Sequence, residues 1–154
     1  ACDQASDETL PLAVRAQAAT VAVAPCCQAE LSRKWAELGE SGESQHPLAL
    51  IHRTPGLRRE TAAQLTDAMR VALLDASGYT VQVSEFVPTE HTPKNRLIIG
   101  RRRTKQFGSV AEASRRSRMV AEYRSMVRMS GGCGICLETL LGASGEASSR
   151  DLLA

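Results

Sequence analysis

The stretch from Tyr79 to Ile99, YTVQVSEFVPTEHTPKNRLII, decides the fold that this sequence predicts. Its first part, residues 79–87, alternates between apolar and polar side chains, as a strand covered on one face does. After six to eight polar residues, Arg96–Ile99 has the composition of a second short strand. Because this connection is too short for a helical crossover, we expect the two strands to be antiparallel.

Two further strand signals lie upstream of this hairpin. Residues 20–24, TVAVA, form a short unbroken apolar run, which is typical of a strand covered on both faces. Ala1-Cys2 resembles the last residues of an earlier strand. Because the chain opens at that point and without a Met, we expect it to be the later part of a longer protein.

Helices are predicted between these strands. Ser6-Asp7-Glu8-Thr9 supplies N-cap chemistry for a helix that extends to about Ala19. A shorter helix is predicted over residues 28–38, and the strongest helical pattern begins after the Thr54-Pro55-Gly56 turn and stops at Gly78. Repeated alternation of helix and strand predicts an α/β fold with a mostly parallel sheet and an antiparallel end strand.

Three polar clusters stand where the predicted strands stop. They are Ala1-Cys2-Asp3, Pro25-Cys26-Cys27-Gln28 and Glu90-His91-Thr92-Pro93-Lys94-Asn95. If the strands are neighbouring and parallel, all three clusters meet at the carboxyl edge of one sheet, which is where open α/β sheets bind ligands. The sequence therefore predicts a single binding site built from these clusters.

The side chains of these clusters suit more than one role. A carboxylate at Asp3 can attract a cationic ligand or accept a proton, whereas Asp7 also suits helix capping. His91 titrates near neutrality and suits general acid–base catalysis. Asn95 suits the turn for backbone reasons, and Cys26-Cys27 suits either packing at a strand end or the floor of a pocket.

The last third of the chain has a different charge. Residues 1–100 carry 9 Lys and Arg against 12 Asp and Glu, giving −3, whereas residues 101–154 carry 10 against 5, giving +5. A basic helix is predicted over residues 110–129, followed by a weakly ordered end. We therefore divide the chain into a domain, residues 1–105, and a basic helical or low-order tail, residues 106–154.

This tail leaves nucleic-acid binding open as a function. Arg101-Arg102-Arg103 with Lys105 could contact phosphates through counterion release, and a solvated basic helix is the alternative. Only 3% of the residues are aromatic, so base stacking is poorly supported.

The five cysteines fit a reducing compartment better than a disulfide framework. Cys133-Gly-Ile-Cys136 is half of a zinc-binding pattern, but no second spaced pair completes it, so no metal site is predicted. No run of residues approaches the roughly 18 apolar residues of a membrane span. We expect a cytoplasmic protein that does not bind membranes.

Three strings in order, ACDQASD at residues 1–7, VAPCCQ at residues 23–28 and EFVPTEHTPKN at residues 85–95, resemble one family. It is the class I S-adenosylmethionine-dependent methyltransferases, in the group whose strands end in HACD and APCC. The resemblance covers the later half of that domain, from Ala1 to about Arg103. It implies a Rossmann-like, seven-stranded sheet whose last strand is antiparallel and enters through a hairpin.

In that fold the strand signals take defined places. The resemblance implies that Ala1-Cys2 ends the fourth strand, and that residues 20–24, 79–87 and 97–100 form the fifth, sixth and seventh strands. The family's Gly-rich turn after the first strand and the acidic residue that ends its second strand have no counterpart in this sequence. We therefore expect this chain alone to bind S-adenosylmethionine poorly, and the activity to belong to the longer protein.

The resemblance also implies roles for the clusters on the methyl-acceptor side. Asp3 would position the acceptor or offset the sulfonium charge, and His91 would be the base, oriented by Glu90. Lys94 and Asn95 would contact the acceptor or fix the loop. Further substrate-binding positions implied are Asp7, Cys26, Cys27, Gln28 and Thr92. RNA, protein and small molecules stay open as acceptors, and the alternatives to an enzyme are a nucleic-acid-binding module and a non-catalytic scaffold.

Overall fold

The computed structural model describes residues 5–25, 28–40, 46–88, 90, 92, 95–103 and 109–143. These residues form helices and a small sheet in a mixed α/β arrangement. The elements in chain order are α1 (Ala5–Arg15), β1 (Thr20–Val23), α2 (Ala29–Glu40), α3 (Ala49–Arg53), α4 (Pro55–Ala76), β2 (Tyr79–Glu85), β3 (Arg96–Arg102), α5 (Val110–Met129) and α6 (Cys136–Ala143).

The sheet has β3 at its centre. β3 is antiparallel to β2, with Val83 opposite Ile98, and it is antiparallel to β1, with Val23 opposite the same Ile98. The predicted antiparallel hairpin is therefore confirmed. The expectation of a mostly parallel sheet with an antiparallel end strand is wrong for the described strands. β1 and β2 do run in the same direction, but β3 folds back from β2 and occupies the place between them.

One face of the sheet packs against the helices. Val21, Tyr79 and Ile98 lie in the main core, while Ala22 and Gln82, which project to the opposite face, are exposed. The expectation that residues 20–24 are covered on both faces is thus wrong within the described residues. Among the described elements, α1 and α4 contact the sheet, and their buried side chains share a core with Val21, Tyr79 and Ile98. Antiparallel sheets tolerate one solvated face.

Helix α4 matches the sequence pattern closely. Thr54 is its N-cap and Pro55 occupies the first turn, where a missing backbone N–H is tolerated. Its apolar side chains Met69 and Leu73 are buried, and Gly78 has the positive φ of 95° expected just beyond a helix end.

Helix α1 is shorter than predicted. It ends at Arg15 rather than near Ala19, because Gln17 takes a φ of 49° and closes the helix. The amide of Gln17 then donates to the oxygen of Val14, and the amide of Ala18 donates to the oxygen of Ala13. This pair of bonds is a Schellman-type cap, which satisfies the last carbonyls of the helix.

The region after residue 109 belongs to the same packed structure. Helix α5 has the predicted bounds, and its N-cap Ser109 accepts a hydrogen bond from the amide of Glu112. Tyr123, Leu137 and Leu141 join the main core that also contains Val21. The expectation of weak order is therefore wrong for residues 131–143, because their apolar side chains have a core to enter.

A second, smaller core lies between α2, α3 and α4. It contains Leu31, Trp35 and Ala62, so two of the apolar positions predicted for α2 are buried as expected. Helix α3 was not predicted. Among the described helices, none combines the length and the apolar character that crossing a bilayer requires.

Candidate functional site

A buried arginine on α4 connects the start of α1 to Asp67 on its own helix. The side chain of Arg70 is 1% exposed and donates from Nε and Nη2 to the Asp7 carboxylate, at 2.6 and 3.1 Å. Its Nη1 donates to Asp67 at 3.0 Å. The guanidinium therefore holds α1 and α4 together through a two-pronged contact, which is the strong geometry for an arginine–carboxylate pair.

The Asp67 carboxylate extends this contact to the sheet. Besides Arg70 it accepts from Arg96 Nη1 at 2.8 Å and from Gln28 Nε2 at 3.3 Å. Gln28 lies between β1 and α2, and Arg96 is the first residue of β3. We call Asp7, Arg70, Asp67, Gln28 and Arg96 the ion network.

The network is electrically balanced, with two carboxylates facing two guanidinium groups. Burial alone would lower the pKa of Arg70, but the hydrogen bonds and charges of Asp7 and Asp67 outweigh burial and raise it. Arg70 is therefore a permanent cation at the centre of the network. A buried charge of this kind is tolerated only while its partners remain in place.

The network lies at the edge of the sheet that the sequence indicated. β1 ends at Val23, five residues before Gln28, and β3, which runs the opposite way, begins at Arg96. Asp7 stands in the first turn of α1. The structure thus joins Asp7, four residues after the first cluster, and Gln28 of the second cluster to Arg96, which directly follows the third.

Asn95, Glu90 and Thr92 have different surroundings. Asn95 is buried; its Nδ2 donates to the oxygen of Val87 at 2.9 Å, and its own backbone oxygen accepts from the amide of Phe86. These bonds close the hairpin, so Asn95 has the role in the turn conformation that the sequence suggested for it. Glu90 is exposed and Thr92 is half-buried. Asp3, Cys26, Cys27, His91 and Lys94 lie outside the described residues.

Sequence reasoning missed Asp67, Arg70 and Arg96. One signal was present, because Arg70 follows Met69 and stands one helical turn before Leu73 and Leu74, in the middle of the apolar stripe of α4. A charged residue in such a stripe needs a buried partner. The identity of that partner, 63 positions away, is not encoded locally.

Helix α6 meets the network through a thiol. Cys136 Sγ donates to Asp7 Oδ2 at 3.5 Å, and the backbone amide of Cys136 donates to Glu30 Oε2 at 3.0 Å. Lys34 pairs with the other oxygen of Glu30 at 2.8 Å and also donates to the oxygen of Gly134. These bonds fasten the start of α6 to α1 and α2.

The ligand atoms of Asp7, Glu30 and Cys136 lie within 4.8 Å of one another, a spacing compatible with a metal ion. Burial, together with the two nearby carboxylates, raises the pKa of Cys136 to about 12, so the thiol keeps its proton at neutral pH. Both carboxylates already have cationic partners, Arg70 and Lys34. The group therefore fits a structural clasp better than a metal centre.

One arginine of the basic run at the end of β3, Arg103, is used inside the protein, whereas Arg101 is exposed. Arg103 contacts Asp75 and Glu112 and donates to the backbone oxygen of Tyr79. Arg115 holds Asp75 with two bonds, of 2.8 and 2.6 Å. These arginines connect α4, β2 and α5 rather than presenting a phosphate-binding surface.

Comparison with known proteins gives one match. Residues 1–34 match a family described as a methyltransferase domain, which is 34 of the 154 residues. The matched stretch contains Asp7, Gln28 and Glu30 and supports methyl transfer as the general activity. No curated protein and no solved structure matches the chain.

Proposed function

We propose that this chain forms the methyl-acceptor side of a class I S-adenosylmethionine-dependent methyltransferase domain. The cofactor-binding part of that domain would belong to a longer protein. One observation carries the proposal: the stretch that matches a methyltransferase domain contributes Asp7 and Gln28 to an ion network that also holds the start of β3. Distant parts of the chain are thereby fixed along one sheet edge, which is where α/β enzymes bind their ligands.

The strand directions support the same proposal. An antiparallel last strand that enters through a hairpin is what the resemblance implies, and β3 has this geometry relative to β2. We assign β1, β2 and β3 to the fifth, sixth and seventh strands of the methyltransferase sheet. Residues 1 and 2 would then end the fourth strand beside β1.

In this proposal the chain's own residues orient the acceptor and handle its proton. S-adenosylmethionine supplies an electrophilic methyl group when bound. Asp3 would position the acceptor, and His91 would take the proton that the nucleophile loses when the methyl group is transferred to it and the sulfonium leaves as a neutral thioether. Alignment of the two reactants accounts for most of the acceleration, and positioning effects reach about 7–11 kcal/mol in favourable cases.

The remaining residues act as positioning residues. Asp7 in the first turn of α1 and Gln28, which precedes α2, are bound to α4 through Arg70 and Asp67. Cys26 and Cys27 would form the bottom of the acceptor pocket. Glu90, Thr92, Lys94 and Asn95 would shape the acceptor-facing loop.

The decisive experiment compares this chain with the longer protein. Calorimetric titration with S-adenosylmethionine should give no measurable heat of binding with residues 1–154 and saturable binding with the protein extended upstream. Binding by neither protein would contradict the assignment to methyltransferases.

A second experiment tests the assigned roles in the extended protein. Transfer of a tritiated methyl group should fall at least about 100-fold in Asp3→Ala and in His91→Ala, the scale of a lost general base. Glu60→Gln, an exposed acid on α4, is the matched control and should keep the parental rate. Unchanged rates in both site variants would end the role assignment while leaving the cofactor result intact.

RNA is the acceptor we propose to test first. Arg101 at the end of β3 and Arg118 and Arg128 on α5 are exposed, and residues 101–154 carry +5. The assay should offer RNA, protein and small-molecule fractions separately, so that the labelled fraction identifies the acceptor. A nucleic-acid-binding module without catalysis would instead show salt-sensitive RNA affinity and no label.

A further inference from the structure

A cleft of about 630 Å³ lies between α4, α5 and the hairpin, next to the ion network. Its volume falls within the range of about 300–1,000 Å³ that is typical of small-molecule sites. Three of its ten lining residues come from α5, which lies outside residues 1–34 and outside the resemblance to methyltransferases.

Two helical stripes face each other across this cleft. On α5, Met119, Glu122 and Met126 follow each other at spacings of three and four residues, so they share one face. On α4, Ala68 and Val71 do the same. The methionine side chains are flexible and polarisable, and such surfaces adapt to apolar ligands of varied shape.

The charged side chains that line the cleft leave one net negative charge, on Glu122. Asp67 and Arg96 both line it, but they belong to the ion network, whose four charges sum to zero. Glu122 is exposed and forms no hydrogen bond or ion pair with any of the described residues. The cleft therefore combines an apolar floor with one uncompensated negative charge at its wall.

We propose that this cleft binds a small organic ammonium ion that carries an apolar body. The apolar part packs between Met119, Met126 and Val71, and the ammonium group pairs with Glu122. Charge complementarity favours this ligand over an anion, because an anion would face the free carboxylate. The cleft shares Asp67 and Arg96 with the ion network, but its ligand is argued from Glu122 and the apolar lining and does not depend on the proposed methyl transfer.

The test is an NMR titration of the isotopically labelled chain with three probes of matched shape. Binding is measured from the changes in amide chemical shift. The probes are 4-phenylbutylamine, 4-phenylbutan-1-ol and 4-phenylbutyrate. We expect the amine to bind about two- to fivefold more tightly than the alcohol, the range of an exposed ion pair. The carboxylate should bind most weakly, and the shifts should centre on Ala68, Val71, Val83 and Met126.

Two variants locate the charge and the cavity. Glu122→Gln should remove the advantage of the amine over the alcohol, whereas Glu60→Gln, an exposed acid on α4 outside the cleft, should preserve it. Ala68→Phe should fill the cleft and abolish binding of both probes. If Ala68→Phe fails to fold, Glu122→Gln still decides the charge question.

Several results would overturn the proposal. Equal binding of amine and carboxylate would remove the role of charge, and shifts centred elsewhere would remove the site. If Glu122→Gln and Glu60→Gln changed the affinity advantage of the amine over the alcohol equally, Glu122 would not be the partner of the ammonium group. Binding of a lysine-containing peptide without binding of the amine would make the occupant a polypeptide, contrary to this inference.

Discussion

Arg70, with its partner Asp67, connects three parts of the chain to α4: the start of α1, Gln28 and the start of β3. It is fully buried, and its charge is tolerated because Asp7 and Asp67 face it at hydrogen-bonding distance. Asp67 in turn holds Gln28 and Arg96. The stability of the network therefore depends on complete pairing rather than on any single bond.

Replacing Arg70 by Met should destabilise the protein strongly. The variant keeps much of the side-chain volume but leaves the buried Asp7 carboxylate without its cation and Asp67 with Arg96 alone, a loss of about 3–5 kcal/mol in the free energy of unfolding. Arg96→Met is the matched control, since its side chain is 28% exposed and Asp67 retains Arg70. We expect about 1 kcal/mol or less for the control. Urea unfolding followed by circular dichroism measures both, and equal losses would contradict the central role of Arg70.

His52 is a second buried titratable residue. It is 2% exposed, and its ring lies 4.8 Å from Trp35 and 4.7 Å from His46, while its Nε2 has no hydrogen-bond partner. Burial lowers the pKa of His52 from the ordinary 6.5, and the charges of His46 and Arg58 lower it further. The folded protein thus favours the neutral imidazole.

The consequence is a loss of stability in mild acid. As the pH falls below about 6.5, the unfolded chain takes up a proton at this position before the folded chain does, so the free energy of unfolding decreases until the folded pKa is passed. Urea midpoints measured from pH 7.5 to 5.5 should show this decrease in the parent and a smaller one in His52→Phe. His46→Gln should also weaken the decrease, because it removes a neighbouring positive charge. An unchanged slope in His52→Phe would refute the assignment.

At the scale of elements, the approach of helices to the sheet depends on one glycine. Gly100 in β3 faces Val21 and Val81 across the ladder, and an added Cβ would lie 2.9 Å from Leu74 Cδ2 and 3.0 Å from Val21 Cγ1. Both neighbours are buried in the main core. A side chain at position 100 would therefore contact Leu74 and Val21 too closely unless one of them moved.

Gly100→Ala should cost about 1–3 kcal/mol of stability, the usual range for overpacking a core. Gly56→Ala is the matched control, because no atom lies within 4 Å of its added Cβ and the position is in the first turn of α4. The control should be neutral or slightly stabilising, since alanine favours helix. Thermal and urea unfolding of the pair provide the comparison, and a neutral Gly100→Ala would show that the sheet can move away from α4.

The elements that could be predicted are those with local signals. The bounds of α5 agree with the sequence, and α4 begins and ends where Thr54-Pro55 and Gly78 indicate. The hairpin direction followed from connection length alone. The position of β3 between β1 and β2 could not be predicted, because it depends on which edge of β3 a distant strand occupies.

The candidate site was predictable in part. The resemblance singled out two residues of the ion network, Asp7 and Gln28, as substrate-binding positions, and the structure connects them through Arg70 and Asp67. The connecting residues, Arg70 and Asp67, lie inside a helix whose pattern indicates only packing. The Gln28–Asp67 and Asp7–Arg70 contacts join residues that are separated by 39 and by 63 positions in the sequence. Such contacts depend on tertiary structure, so a local sequence pattern cannot predict them.

At the scale of the whole molecule, charge and packing divide the chain differently. The change from −3 to +5 falls near residue 100. The packing has no such division, because Arg103, Asp75, Glu112 and Arg115 join the end of β3 to α4 and α5. The main core likewise draws on both sides of the charge boundary. Charge alone therefore does not identify a separate module in the last third.

Removal of residues 104–154 should accordingly prevent cooperative folding. It deletes four buried core side chains, Tyr123, Ile135, Leu137 and Leu141. At about 1.5–3 kcal/mol each, their burial contributes about 6–12 kcal/mol, which is comparable with the whole stability of a typical domain, about 5–15 kcal/mol. Leu137→Ala in the full chain is the graded control. It should lose about 2–5 kcal/mol and still unfold in one transition. Near-ultraviolet circular dichroism and thermal unfolding test both forms. A truncated chain with native-like spectra and a sharp transition would mean that residues 1–103 fold alone, and the shared core would then be dispensable.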